Sequence, residues 1–146
     1  MGLKYTEGTA SKQDIYSHLM TCDENFISRL KEKVNIQDYS GKISEKAVTF
    51  EAWGGDALAG LVAAYLNDPN TQTGYITSVS TIKTYAGRGI ASVLINNCVT
   101  YARQHGFKSI FLEVEKANDH AVSLYKTYRF QEFEDNNASM LMKLAV

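Results

Sequence analysis

A strand that runs through a two-glycine turn straight into a helix constrains this chain more than any other feature. Tyr75-Ile76-Thr77-Ser78-Val79-Ser80-Thr81-Ile82 has strand character, Lys83-Thr84-Tyr85-Ala86-Gly87-Arg88-Gly89 turns, and Ile90-Ala91 opens an amphipathic helix. Gly87 and Gly89 let the backbone turn tightly and approach a ligand with no side chain in the way. The first helical turn then presents unpaired N–H groups and a partial positive charge. A phosphate or pyrophosphate is the natural guest of such a turn.

The flanking elements set the architecture. Leu3 to Thr6 reads as a short strand, and Ser11 with Asp14 caps a helix that carries Ile15, His18, Leu19 and Cys22 at helical spacing. Asp23 is read as the cap of a second helix with Phe26, Ile27, Leu30 and Val34 on its apolar face, and Asn35 to Glu45 as a polar loop. A loop between helical and strand-like regions can form part of a substrate wall. Ala47 to Trp53, the turn Gly54-Gly55-Asp56 and the apolar run Ala57 to Leu66 make a hairpin. Asn67-Asp68-Pro69-Asn70 closes it ahead of a third antiparallel partner, the strand before the glycine turn. From Ile90, Val93, Leu94, Cys98, Tyr101 and Ala102 mark one helix face, which stops at Gly106. Ser109 to Glu115 is the next strand, so strand, helix and strand form a crossover with parallel strands. Asn118 caps a short helix with Ala121, Leu124, Tyr125 and Tyr128 on one stripe, before two closing strands near Phe130 to Phe133 and Ser139 to Leu144. The expectation is one α/β domain over residues 1–146, a mixed sheet with helices on both faces.

Composition narrows the partners. With 45% hydrophobic and 21% charged residues the chain can form a core and a solvated surface. A formal net charge of -1 supplies no basic footprint, so nucleic acid is not an expected partner. Cys22 and Cys98 lie far apart without CxxC spacing and read as reduced core thiols of a cytoplasmic protein, not as a disulfide or zinc site. His18, His105 and His120 are too scattered for a metal site. No apolar run approaches a membrane helix and the N-terminus lacks a signal-peptide centre, so no membrane is expected. Met1-Gly2-Leu3-Lys4-Tyr5-Thr6 fits the short myristoylation pattern but reads as the start of a strand.

Three nucleotide motifs compete for the glycine turn. A P-loop needs GxxxxGK[ST], and no lysine follows Gly89 where that motif requires it. A dinucleotide fingerprint needs GxGxxG; Gly87 and Gly89 begin it, Ser92 fails to complete it, and Glu113 or Glu115 would supply the ribose-binding acid. The third is the coenzyme A turn [QR]xxGx[GA], met here by Ala86-Gly87-Arg88-Gly89-Ile90-Ala91 in its closing Gly and Ala. Further on, Asn118-Asp119-His120-Ala121-Val122-Ser123-Leu124-Tyr125-Lys126-Thr127-Tyr128-Arg129-Phe130 supplies an Asn followed by a helix ending in LY…F. On these two spaced signatures the chain resembles the GNAT superfamily of N-acetyltransferases, most sharply from Ile76 to Phe130. Ala86 stands where Gln or Arg is usual, Arg129 where Gly is common, and Lys83 where proline is frequent.

The resemblance implies a mostly antiparallel central sheet of six to seven strands with a splayed central pair and about four helices. It implies that Val79, Ser80 and Thr81 offer backbone groups to the pantetheine arm of acetyl-CoA. Gly87, Arg88, Gly89, Ile90, Ala91 and Ser92 would hold the pyrophosphate, with Asn118 reaching the cofactor from the far side. Asn118 is also a helix cap and can serve both roles. Tyr125 matches the general-acid position, although on its helical stripe it also reads as a core tyrosine. Glu113 matches the position used as a base in the ribosomal-protein N-acetyltransferase branch, with Glu51 as its rival. Tyr39 and Tyr65 are candidates for an acceptor pocket, and Trp53 for a plain strand residue.

The activity so implied is direct acetyl transfer from acetyl-CoA to a primary amine, with no metal and no cysteine intermediate. A small-molecule amine is favoured over a peptide or protein because the chain is compact and carries no charged tract. Many members of the family dimerise, so a homodimer is among the expectations. Two other classes remain: a noncatalytic acyl-CoA-binding sensor, and a nucleotide-binding oxidoreductase fragment resting on Gly87-x-Gly89 and the later glutamates.

Overall fold

The computed structural model describes residues 2–23 and 29–146. The sheet has seven strands: β1 (Lys4–Glu7), β2 (Val48–Gly54), β3 (Ala57–Tyr65), β4 (Thr73–Thr81), β5 (Ser109–Glu115), β6 (Gln131–Asn136) and β7 (Ser139–Ala145). Four helices accompany it among the described residues: α1 (Lys12–Asp23), α2 (Ile36–Lys46), α3 (Ile90–Gln104) and α4 (Asp119–Thr127). The spatial order is β1-β2-β3-β4-β5-β7-β6, and only β4 and β5 run parallel. The hairpin, the third antiparallel strand and the crossover lie where the sequence places them. The last two strands do not add in chain order, because β7 takes the place beside β5 and leaves β6 on the edge.

Helices cover both faces. Ile15 and Leu19 of α1 and Ile36 and Ile43 of α2 bury Leu61 and Ala63 of β3. On the other face, Ile90, Leu94, Ile95 and Cys98 of α3 share a larger core with Ala59, Val62 and Ala64 of β3, Leu112 and Val114 of β5, and Tyr125 of α4. From Leu61 to Ala64 alternate β3 residues thus serve opposite layers, and its burial runs unbroken from Leu58 to Ala64. A Cβ on Gly60 would lie 2.4 Å from Ile90 Cγ2, so the glycine is what lets the start of α3 press onto β3.

Two expectations are corrected. Residues 35–45 are not a loop: α2 occupies them, with Asn35 Oδ1 accepting the Asp38 N–H as its N-cap. The polar composition hides an apolar stripe of Ile36, Tyr39 and Ile43, which is enough once α1 and β3 are there to cover it. Asp23 ends α1 and accepts the Leu30 and Lys31 N–H groups of a single 3-10 turn, Leu30–Glu32, where a second helix was expected. Phe26 and Ile27, assigned to that helix's apolar face, lie outside the described residues.

Candidate active site

The central pair splays. β4 and β5 pair from Thr73↔Ser109 to Ile76↔Leu112 and no further, although both strands continue. One residue beyond the last pair, Thr77 is a bulge: Ala63 pairs with Ser78 and Ala64 with Ile76, which leaves Thr77 without an opposite number. From Ser78 to Thr81, β4 keeps β3 on one edge and opens on a cleft at the other, so alternate backbone N–H and C=O groups face it without a strand partner. The cleft holds about 300 Å³ and is lined by Tyr39, Thr77 to Val79, Leu112 to Glu115, Asn118 and Tyr125, among others.

Val79 lines the cleft, whereas the Ser80 side chain turns to the opposite layer. There His18 Nδ1–H donates to the Leu58 carbonyl (2.7 Å), which can only accept, and Nε2 therefore accepts the Ser80 hydroxyl (2.8 Å). Burial pushes the His18 pKa down, against the backbone groups of Leu58 and Ser80, and keeps the ring neutral. Cys22 lies against the same ring, and burial pushes its thiol up to about 11, with Ser80 pulling slightly the other way. Burial alone pushes Cys98 to about 12. Neither thiol is a nucleophile at neutral pH.

The glycine turn is open. Gly87 (φ 79°) and Gly89 (φ 73°) both adopt the left-handed conformation, and a Cβ at either would meet nothing within 4 Å. Gly89 caps α3 without a side chain to bond its first amides, so the N–H groups of Ile90, Ala91 and Ser92 have no side-chain cap. Free amides, a helix N-terminus and unobstructed backbone fit a pyrophosphate. Arg88 stacks on the Tyr85 ring, 5.0 Å from its centre. The Ser92 carbonyl accepts the Tyr128 hydroxyl (2.9 Å) and ties α4 to the start of α3.

Tyr125 stands on the far wall of the cleft, 7% exposed, its ring edge-on to Phe130. Burial raises its pKa to about 12, so the phenol stays protonated, and its hydroxyl makes no hydrogen bond among the described residues. The end of α4 fixes the ring: Phe130 N–H bonds the Tyr125 carbonyl and Arg129 N–H the Lys126 carbonyl, with Arg129 at φ 73°. The arginine thus takes the conformation that glycine adopts without strain. Asn118 lines the same wall while its Oδ1 accepts the Ala121 N–H (3.2 Å).

The two candidate bases sit in unlike places. Glu51 is completely buried and away from the cleft; Thr6, Thr9 and Thr49 hydroxyls each donate to it at 2.6 Å and the Ala10 N–H at 2.7 Å. Burial works to raise its pKa, and those donors outweigh it, so the carboxyl stays below its usual range. Trp53 Nε1–H completes the group by donating to Thr6 (2.9 Å) and belongs to the strand. Glu113 is exposed and lines the cleft; Ser139 Oγ–H (2.6 Å) and Asn136 Nδ2–H (2.9 Å) both donate to its Oε2. These bonds, opposed by burial and helped least by Lys33, hold its pKa below the usual range. Oε1 has no hydrogen-bond partner among the described residues.

Of the acceptor-pocket candidates, Tyr39 lines the cleft. Tyr65 does not: it pairs with Tyr75, has Lys42 over its ring, and its buried hydroxyl has no partner among the described residues. Lys33, Thr77 and Ser78 are lining residues that the sequence reading missed. The bulge that brings the last two there has no local signature, since Thr77 and Ser78 look like any strand pair. Among the described residues no helix is long and apolar enough to cross a membrane, and no three His, Cys, Asp or Glu side chains gather as metal ligands.

Known proteins share this architecture. The N-acetyltransferase PaiA of Thermoplasma acidophilum, solved with coenzyme A, superposes with a TM-score of 0.80 over all of both chains at 12% identity. Arabidopsis thaliana NAA60, solved with acetyl-CoA, gives 0.77 over 99% of each chain at 18% identity. In sequence, the N-alpha-acetyltransferase MAK3 of Arabidopsis thaliana is 34% identical over 71 residues, 49% of this chain and 37% of that protein. The chain thus matches well under half of the length of that relative. Residues 12–130 match the acetyltransferase (GNAT) family as a whole, a span that holds the glycine turn, the strand split and the Asn118–Phe130 helix, and this chain belongs to that family.

Proposed function

We propose that the protein transfers acetyl from acetyl-CoA directly to a primary amine. The observation that carries this reading is the split between β4 and β5, with β4 backbone that has no β5 partner on one wall and Tyr125 on the other. When bound there, acetyl-CoA supplies the activated acetyl group. Val79, Ser80 and Thr81 belong to the stretch of β4 whose cleft-side backbone groups can receive the pantetheine arm and hydrogen-bond the acyl oxygen. Gly87 to Ser92 bind the pyrophosphate through backbone amides.

Tyr125 donates a hydrogen bond to the leaving sulfur. With its own pKa near 12 and a reference thiol near 8.5, full proton transfer would be uphill by roughly 5 kcal/mol. Stabilising charge on the sulfur is therefore the larger part of its work. Glu113, held ionised with one oxygen turned to no protein donor, orients the incoming amine as a counter-ion. Even at its ordinary pKa a carboxylate is a weak base beside an amine, so the amine's proton leaves through solvent at the open mouth. A small-molecule amine is the favoured acceptor because the chain carries no charged tract for a protein partner.

Calorimetric titration with acetyl-CoA, with NAD and ATP as controls, tests the cofactor. Selective binding of acetyl-CoA, followed by amine-dependent release of CoA across a panel of small amines and N-terminal peptides, is the expected result. Binding without release for any amine would instead support a noncatalytic acyl-CoA sensor, and preference for NAD a nucleotide-binding role.

A further inference from the structure

The bulge at Thr77 is held from outside the sheet. Tyr39, on α2, places its hydroxyl 2.7 Å from the Thr77 carbonyl and 2.7 Å from Thr77 Oγ1. A carbonyl only accepts, so the single phenolic proton goes to it, and the Thr77 hydroxyl must donate back to the Tyr39 oxygen. Both hydroxyls are satisfied, and the Thr77 peptide is pinned toward α2. Burial raises the Tyr39 pKa to about 12, with the Thr77 hydroxyl pulling the other way, so the clamp keeps its proton across the physiological range.

Thr77 is the first residue past the last β4–β5 pair. Nothing in the covalent chain stops the parallel ladder there, since β5 continues for three more residues to Glu115. What distinguishes the position is the extra residue and its tether. The same α2 packs through Ile36 and Ile43 on Leu61 and Ala63 of β3 and is anchored independently of the cleft.

We infer that Tyr39 is a positioning residue that keeps β4 and β5 apart, by holding the Thr77 bulge against α2 so that the backbone of 78–81 is presented to the cofactor and not to β5. Tyr39 also forms part of the cleft wall beside Lys33. An acceptor that presses on this wall therefore presses on the strand that receives the acetyl group. The inference builds on the acetyl-CoA reading for its kinetic consequence, but its structural core stands without it.

The test is Tyr39→Phe, which keeps the ring and removes only the hydroxyl, with Thr77→Val as the milder partner that removes Oγ1 and leaves the carbonyl. In the unliganded protein, backbone amides of 77–79 are expected to exchange at least tenfold faster in Tyr39→Phe, with the exchange of α3 unchanged. The acetyl-CoA Kd is expected to rise about tenfold, the loss of one to two hydrogen bonds, and by more than any change in the acceptor KM. Thr77→Val should show a smaller version of both effects and add nothing on top of Tyr39→Phe. Unchanged exchange at 77–79 in Tyr39→Phe would overturn the inference, as would equal losses in cofactor and acceptor binding alongside a general fall in stability. If the wild type itself binds no acetyl-CoA, the functional reading fails, and the exchange result alone decides the clamp.

Discussion

Glu51 on β2 and Glu113 on β5 are both strand carboxylates held below the usual pKa range, yet the regions around them are built for different ends. Around Glu51 every direction is closed: three threonine hydroxyls and two backbone amides converge on a side chain with no exposure, stitching β1, β2 and the start of α1 together. Around Glu113 the sheet opens, and two donors hold one oxygen while the other has no hydrogen-bond partner among the described residues, on a side chain that lines the cleft. A low pKa alone does not distinguish an anchor from a functional group. What distinguishes them is whether the hydrogen-bonding capacity is used up within the fold.

The sharpest way to break that contrast is Glu51→Gln. The amide would turn a donor toward at least one of its present donors, and the loss is expected to be about 3 kcal/mol of stability, a fall in Tm of roughly 10 °C. Catalytic constants of the folded fraction should not change. A variant with normal Tm and lost turnover would place Glu51 in the chemistry and end the distinction.

Tyr125→Phe tests the open region. It should cut kcat about a hundredfold and leave the acetyl-CoA Kd within about threefold, read by steady-state kinetics beside calorimetry. Comparable losses in both would make Tyr125 a packing residue of the Phe130 pair.

Next in size is Glu113→Gln, for which the acceptor KM is expected to rise about tenfold with kcat within about threefold. The acidic limb of the pH–rate profile should be retained. Loss of that limb would show Glu113 acting as a base.

The smallest effect belongs to the closed region. Because the folded-state pKa of His18 is depressed below its ordinary 6.5, the unfolded chain binds the extra proton first. Stability is then lost as pH falls through that value. Between pH 7 and pH 6 the loss should be under about 1 kcal/mol, followed by denaturant melts, and should vanish in His18→Gln. A stability that rose on acidification would contradict a neutral, buried ring.

The same two regions differ in how far they could be read from sequence. Gly87, Gly89 and Asn118 were legible because turn chemistry and capping are local, and their positive φ and cap bond are what those residue types do in nearly any host fold. Helical spacing alone reads Tyr125 as a core tyrosine, and only the family resemblance marked it for the cleft it lines. The helix over residues 36–46 was not legible, since four of its eleven residues are charged and its stripe of Ile36, Tyr39 and Ile43 counts only when α1 and β3 cover it. Glu51 looked like a rival to Glu113 because nothing in its neighbours announces donors at Thr6, Thr9 and Ala10, more than forty residues away.

By itself, then, the sequence determined the strands, the crossover, the phosphate-type turn and the helix that carries Tyr125, all matters of residue type at short range, but not α2. Tertiary structure decided the insertion of β7 beside β5, the bulge at Thr77, the end of the β4–β5 ladder and which carboxylate lines the cleft. Those depend on which distant groups arrive to satisfy a backbone or fill a face. A buried hydrogen bond or a register shift has two ends, and only folding brings them together.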